Sequence, residues 1–168
     1  MTKINPMQTV KLDKVVLNIG AKGAVLEKAV KLLGILTNGR KAARMKTTKR
    51  IPAFEVRPGL EVGAVVTVRK GKEELLKKLL IAVDKIVRRK QATVNSISFG
   101  LKEYLDIPGV EYNRDIGMMG LDVTAVFKRS GRRVRLRKIK RAKVPPRQDV
   151  QKQEIIKFME ENFQVKFV

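Results

Sequence analysis

Apolar and polar positions alternate with a period of two at three places along the chain. Val15, Leu17 and Ile19 alternate with Val16 and Asn18, which predicts a strand over Val10 to Ile19. Val62, Ala64, Val66 and Val68 alternate with Gly63, Val65, Thr67 and Arg69, the clearest strand pattern in the chain. Leu121, Val123, Ala125 and Phe127 alternate with Asp122, Thr124 and Val126, a third strand. Between these, the period lengthens to that of a helix. Leu26, Ala29, Leu33 and Leu36 recur at threes and fours, and Asn38-Gly39 predicts a left-handed end to that helix. After Gly71, the stripe Leu75, Leu76, Leu79, Leu80, Val83, Ile86 and Val87 predicts a second helix. Glu73 and Glu74 would lie in its first turn and Arg88, Arg89 and Lys90 in its last, as the helix dipole favours. A last helix is predicted from about Asp149, with Ile155, Ile156, Met159 and Phe163 on one side.

The remaining segments are read from their breakers. Residues 40–50 predict a strand running into a loop, punctuated by Pro52 and Pro58-Gly59. Residues 91–120 are polar and turn-rich. Ser130-Gly131 predicts a hairpin turn, after which Val134 and Leu136 alternate with Arg133, Arg135 and Arg137 until Pro145-Pro146, a strand with one cationic face. Strands and helices mix without a regular βαβ repeat. The expected class is α+β: an antiparallel β-sheet with helices packed on one face, plus a basic β-hairpin extension. Residues 1–168 are read as one domain, with the basic extension at about 128–147 inside it.

Charge changes the picture. Among 168 residues, 38 Lys and Arg face 16 Asp and Glu, a formal net charge of +22. Residues 128–147 hold eleven Lys and Arg and no acid, and residues 40–50 hold six and no acid: Arg40, Lys41, Arg44, Lys46, Lys49 and Arg50. Without those seventeen charges the other 137 residues carry +5, an ordinary balance. A single such run reads equally well as a solvated face or a disordered tail. Two acid-free runs point instead to nucleic acid. A membrane surface would want a basic amphipathic helix backed by Trp or Phe, and neither run has that pattern. The longest all-apolar run, Leu79 to Val83, is far below the ~20 residues that span a bilayer. The first six residues lack the apolar core of a signal peptide, so the expectation is a soluble intracellular protein.

Candidate chemistry is removed more than it is added. There is no Cys and no His, which excludes thiol nucleophiles, imidazole bases, disulfides and the usual zinc sites. No GxxxxGK[ST] phosphate loop occurs. At 5% aromatic residues the chain offers no ladder for stacking bases. Gly20-Ala21-Lys22-Gly23 has the letters of a KH-type clamp, but a strand precedes it where that clamp needs a helix, so the alternative is a strand-to-helix turn. Glu160-Glu161 reads as a solvated pair late in a surface helix. No catalytic residue, metal ligand or cofactor is expected, and an enzyme acting on RNA finds no acid–base or metal constellation here.

Several stretches taken together resemble one family. Asn5-Pro6-Met7 with Val15-Val16-Leu17-Asn18-Ile19-Gly20 is similar to the opening of the large-subunit ribosomal protein five family. Val62-Gly63-Ala64-Val65-Val66-Thr67-Val68-Arg69 resembles the strand before that family's long helix. Phe99-Gly100-Leu101-Lys102-Glu103-Tyr104, Ile107-Pro108-Gly109-Val110 and Ile116-Gly117-Met118-Met119-Gly120-Leu121-Asp122-Val123 resemble its C-terminal half. Order and spacing hold from about residue 5 to the end. The lack of a bacterial-type N-terminal extension and the basic segment look like the archaeal branch.

The resemblance implies a structural constituent of the large ribosomal subunit, ribosome-bound in the cytoplasm, that binds 5S rRNA. It implies an anchor to the large-subunit rRNA in the central protuberance, with contacts to P-site tRNA, to neighbouring ribosomal proteins and to the small-subunit head. The family's 5S-contacting positions fall on Asn18, Phe54 and Thr67. A fourth, usually Gln, is Arg40 here, which suits a phosphate. The family's tRNA-facing loop aligns with Lys46 to Gly59, where Thr48 replaces a usual basic residue and Arg50 a usual small hydroxyl residue. The RNA-binding set expected from charge and resemblance together is Asn18, Arg40, Lys41, Arg44, Lys46, Lys49, Arg50, Phe54, Arg57, Thr67, Arg69, Arg132, Arg133, Arg135 and Arg137. Asn18 also has a plain reading as a strand residue capping a turn. An RNA chaperone or regulator outside the ribosome is the alternative function; it should keep an exposed stacking surface or a second domain.

Overall fold

The three alternating stretches become the centre of one sheet. The computed structural model describes residues 5–168. Residues 1–4, part of the amino-terminal stretch considered for a signal-peptide core, lie outside the described residues. Along the chain come β1 (Val10–Gly20), α1 (Ala24–Leu36), β2 (Ala43–Lys46), β3 (Glu61–Val68) and α2 (Lys72–Ile81). Then follow β4 (Ile86–Val87), β5 (Ala92–Thr93), β6 (Ser96–Leu101), β7 (Leu121–Arg129), α3 (Arg133–Leu136), α4 (Lys152–Phe163) and β8 (Lys166–Phe167). Six strands pair in the order β2-β3-β1-β7-β6-β5, every neighbouring pair antiparallel, while β4 and β8 form a small parallel pair apart from them.

The period of two decides which face is covered. Val15, Leu17 and Ile19 of β1, Ala64, Val66 and Val68 of β3, Val123, Ala125 and Phe127 of β7, and Ile97 and Phe99 of β6 are all buried. They form one apolar cluster with Leu26, Ala29, Leu32 and Leu33 of α1, Leu76, Leu79 and Leu80 of α2, and Ile155, Met159 and Phe163 of α4. A bulge at Asp13 lets Leu12 and Val15, three residues apart, both face this core. Among the described residues no helix packs on the opposite face, so the α+β class with one covered face stands. Among the described residues no helix is long and apolar enough to cross a membrane.

Four expectations are corrected. The second helix ends at Ile81. Asp84 and Lys85 take positive φ (53° and 57°), and Ile86 and Val87 leave the helix to pair with Lys166 and Phe167. Arg88, Arg89 and Lys90 therefore do not form its last turn, which holds Lys78 instead. The polar stretch 91–120 contains β5 and β6, whose Ser96, Ser98 and Gly100 alternate with buried Ile97, Phe99 and Leu101. Ser130-Gly131 does not turn a hairpin. Both edges of β7 are already occupied, by β1 and β6, so a returning strand has no free edge to pair with. The basic segment instead forms the single turn α3 and then runs irregularly to Pro145, so it is an arm and not a strand with a cationic face. Gly20-Ala21-Lys22-Gly23 joins β1 to α1 and is the strand-to-helix turn.

Gly120, just before β7, shows how closely these strands approach. A Cβ there would lie 2.8 Å from the Lys102 carbonyl oxygen and 2.9 Å from that of Leu101, both backbone atoms that cannot swing aside. Gly120→Ala is expected to destabilise the fold by about 1–3 kcal/mol, the usual range for overpacking. Urea unfolding checks this; an unchanged midpoint would contradict it.

Candidate nucleic-acid interface

The uncovered face is built from the other parity of the same strands. Thr67, Val16, Thr124 and Ser98 stand side by side across β3, β1, β7 and β6, and Val65, Asn18, Asp122 and Gly100 form the next row. At a strand spacing of about 4.8 Å each row is about 14 Å wide. The Ser98 and Thr124 hydroxyls are 3.0 Å apart. The rim is cationic: Lys14 lies opposite Val126, Lys11 opposite Lys128, and exposed Arg69 follows β3. Asp13 pairs with Lys128 at 2.6 Å. Phe99 and Phe127 point into the core, so this face offers hydroxyl, amide and carboxylate groups but no stacking platform.

Only some of the expected residues meet there. Asn18 and Thr67 do: Asn18 is opposite Val65 and Thr67 opposite Val16, which makes them diagonal neighbours on one face. Phe54 is 70% exposed beside the end of β1, where it lines an open hollow of about 450 Å³ with Gly20, Ala21 and Lys22. Lys22 Nζ donates to the Phe54 carbonyl oxygen at 3.1 Å and pairs with Glu55 at 3.3 Å, holding the Pro52–Phe54 turn against that end. Arg40 does not join them. Its Nη2 donates to the Lys70 carbonyl oxygen at 3.0 Å, and it lines a cleft of about 220 Å³ between the end of α1 and the start of α2.

The first basic run is partly neutralised inside the protein. Arg44 reaches the helix side of the sheet edge, bonding Glu27 at 2.8 Å and Glu61 at 3.2 Å, and Lys46 lies 3.9 Å from Glu61. The hydrogen bond to Glu61, then the charge of Glu27, raises the Arg44 guanidinium pKa above its ordinary value. Lys41, Lys49, Arg50 and Arg57 are exposed. The last three sit on the β2–β3 loop, which is ordered by Thr47 N–H bonding the Leu60 carbonyl, Gly59 N–H bonding the Thr47 carbonyl, and an Ile51–Val56 bridge.

The second run is freer. Lys128 and Arg129 are paired, with Asp13 and Glu154. The other nine cations of 128–147 have no ion-pair partner among the described residues, and Arg133, Arg135 and Arg137 are exposed. Arg132 is half-buried and donates to the Phe127 carbonyl oxygen at 3.2 Å. The arm leaves the sheet beside Val10, while the β2–β3 loop lies beyond Gly20. The two basic features therefore occupy opposite ends of β1, about 33 Å apart at ~3.3 Å per residue.

Sequence reasoning missed Ser98, Thr124, Asp122 and Lys14 as groups of this face. The signal for Thr124 and Asp122 is present in the sequence, since both are the outward partners of a plain alternation. Ser98 is hidden because its strand has the composition of turns.

Two family models cover this architecture. Residues 5–57 match the model described as ribosomal protein L5, and residues 61–164 match the model of the same family's C-terminus. The chain belongs to the ribosomal protein L5 family. The boundary between the two matches falls in the β2–β3 loop, so L5 strands from both sides share one sheet. Archaeal relatives agree along nearly the whole length. The large ribosomal subunit protein uL5 of Nanoarchaeum equitans is 39% identical, over 98% of this chain and 99% of its own. That of Sulfolobus acidocaldarius is 43% identical over 97% and 93%, and that of Methanobrevibacter smithii 32% over 98% and 99%. L5 proteins are ribonucleoprotein constituents, not enzymes.

Proposed function

We propose that this large-subunit ribosomal protein holds 5S rRNA on its uncovered sheet face and anchors it to the large-subunit rRNA in the central protuberance. The observation that carries the reading is the juxtaposition of Asn18 and Thr67 on the one sheet face that no helix covers. Around them, hydroxyl and amide groups suit ribose hydroxyls and base edges, while Lys11, Lys14 and Arg69 suit phosphates. Arg40, off this face, takes a phosphate beside it. The β2–β3 loop, with Lys49, Arg50 and Arg57 exposed, reaches toward P-site tRNA and the small-subunit head, and the basic arm grips a second rRNA segment. The separation of about 33 Å between loop and arm supports this division. One apolar cluster running from Leu12 to Val165 supports the chain acting as a single unit. It works ribosome-bound, in the cytoplasm, with neighbouring ribosomal proteins.

Asn18→Ala and Thr67→Ala are each expected to weaken 5S rRNA binding by about 0.5–1.5 kcal/mol per lost hydrogen bond. The slope of log K against log salt should stay the same, because neither change removes a charge. Filter binding at several salt concentrations measures both quantities. If the double variant binds as tightly as the parent, the sheet face does not read 5S rRNA.

A further inference from the structure

The basic arm begins and ends at one residue that charge and motif reasoning pass over. We propose that Asn95 is a clasp: it closes the base of the arm and so presets the arm's geometry for RNA. The proposal rests on the reading of the arm as an RNA contact.

Asn95 sits in the two-residue turn between β5 and β6 with φ 64°, a left-handed conformation that Asn adopts more readily than most side chains. From there it makes four hydrogen bonds. Its carbonyl oxygen accepts from Phe127 N–H at 2.8 Å, just before the arm departs. Its N–H donates to the Val150 carbonyl oxygen at 3.0 Å, and its Oδ1 accepts from Val150 N–H at 2.8 Å, where the arm returns. Its Nδ2 donates to Asp149 Oδ1 at 3.0 Å. Both feet of the arm are thus held by one residue. Arg129, with a side chain only 15% exposed, adds a second tie between the feet: it donates to the Arg147 carbonyl oxygen at 3.2 Å and to Glu154.

Between the feet the arm has little to hold it. Residues 137–145 have no regular structure. Beyond α3 the arm is tied internally by a 3.3 Å bond from Ala142 N–H to the Val134 carbonyl oxygen and a 2.6 Å bond from Arg137 Nε to the Lys140 carbonyl oxygen. Nine unpaired cations repel one another along it, which favours an open, wandering segment. A closed base opposes that. It also places the entropy loss of loop closure in the folding step, so the loss does not recur when RNA binds. The side-chain amide is needed for this because it donates to a carboxylate and accepts from an N–H at once. Gly would keep the backbone angle but neither side-chain bond, and Asp would set a second carboxylate against Asp149.

The test uses the full chain in four forms: the parent; Asn95→Asp; the exchanged pair Asn95→Asp with Asp149→Asn; and Arg133→Gln with Arg135→Gln and Arg137→Gln. Two quantities are read, amide hydrogen exchange over residues 130–150 and affinity for a mixed-sequence RNA duplex at fixed salt. Asn95→Asp is expected to speed exchange there about tenfold, as the loss of one or two hydrogen bonds would. It should weaken duplex binding about fivefold, while exchange elsewhere in the sheet stays at the parent rate. The exchanged pair has the parent's net charge and can remake both side-chain bonds, so it should restore both readings. Faster exchange with unchanged affinity overturns the proposal, as does failure of the exchanged pair to rescue, or no change in either quantity. If the triple Gln variant binds the duplex as the parent does, the arm does not touch RNA, and the reading beneath the proposal falls with it.

Discussion

Raising the salt concentration from about 50 to 200 mM is expected to weaken binding of this chain to 5S rRNA by about 10³–10⁵-fold, the loss that follows when roughly 6–10 phosphates are neutralised. The charge for this is available. The formal net charge is +22, and the ion pairs of the described residues occupy Lys22, Arg44, Lys46, Lys128 and Arg129. Lys11, Lys14 and Arg69 on the rim of the sheet face have no ion-pair partner among the described residues. With 5S rRNA as the sole RNA in the assay, the exposed Lys41, Lys49, Arg50 and Arg57 and the nine unpaired cations of the arm meet its phosphates as well. Each cation that meets a phosphate releases condensed counterions, and added salt reverses that gain. The polar groups of the sheet face contribute register but almost no slope. A plot of log K against log salt, taken by filter binding, gives the number of phosphates directly. A nearly flat plot would mean that hydrogen bonding, and not charge, carries the affinity.

The second large effect is on stability. Phe127→Ala is expected to destabilise the fold by about 3–5 kcal/mol, the usual range for removing a buried aromatic ring. Phe127 is fully buried as the last core residue of β7, and its ring meets that of Phe158 on α4 edge-on, 5.5 Å between centroids at 70°. Its N–H is bonded to Asn95 and its carbonyl to Arg132, so the ring anchors the strand end from which the arm departs. Against a typical total of about 5–15 kcal/mol, that loss removes a large part of the stability. Urea unfolding measures it; a loss below about 1 kcal/mol would show that α4 does not pack on β7 as described.

Much of this architecture is legible in the order of residues. β1, β3 and β7 are half-buried strands in mid-sheet, so one parity of each must be apolar, and Val15-Leu17-Ile19 or Leu121-Val123-Ala125-Phe127 display it without ambiguity. β6 escapes such a reading because its outward residues are Ser96, Ser98 and Gly100, which are also turn formers. The true end of α2 escapes it for a different reason. Val83, Ile86 and Val87 continue an apolar stripe, but the last two are drawn off by pairing with Lys166 and Phe167 at the far end of the chain. Local periodicity carries no information about such a partner. The hairpin expectation fails similarly: Val134 and Leu136 alternate with Arg, yet strand formation needs a free neighbour, and β7 has none.

The candidate site divides along the same line. Asn18 and Thr67 lie on the non-core parity of plainly alternating strands, so their common face follows from period alone once the strands pair. Whether a cation is free does not follow from period. Arg44 and Lys46 are answered by Glu61, which lies across the strand pair, and Arg44 also by Glu27 of α1. Arg40, ahead of β2, bonds the Lys70 carbonyl. Neither arrangement is written in a run of like charges.

The absence of cysteine allows the sheet-face claim to be tested at chosen positions. A single cysteine at Ser98→Cys, on the uncovered face, and another at Glu161→Cys, on the exposed side of α4, can each carry a tethered iron chelate that generates hydroxyl radicals. In the complex with 5S rRNA, the Ser98→Cys conjugate is expected to cleave the RNA backbone at discrete nucleotides, while the Glu161→Cys conjugate leaves it intact. Cleavage from Glu161→Cys with none from Ser98→Cys would place the RNA against the helices and contradict the account.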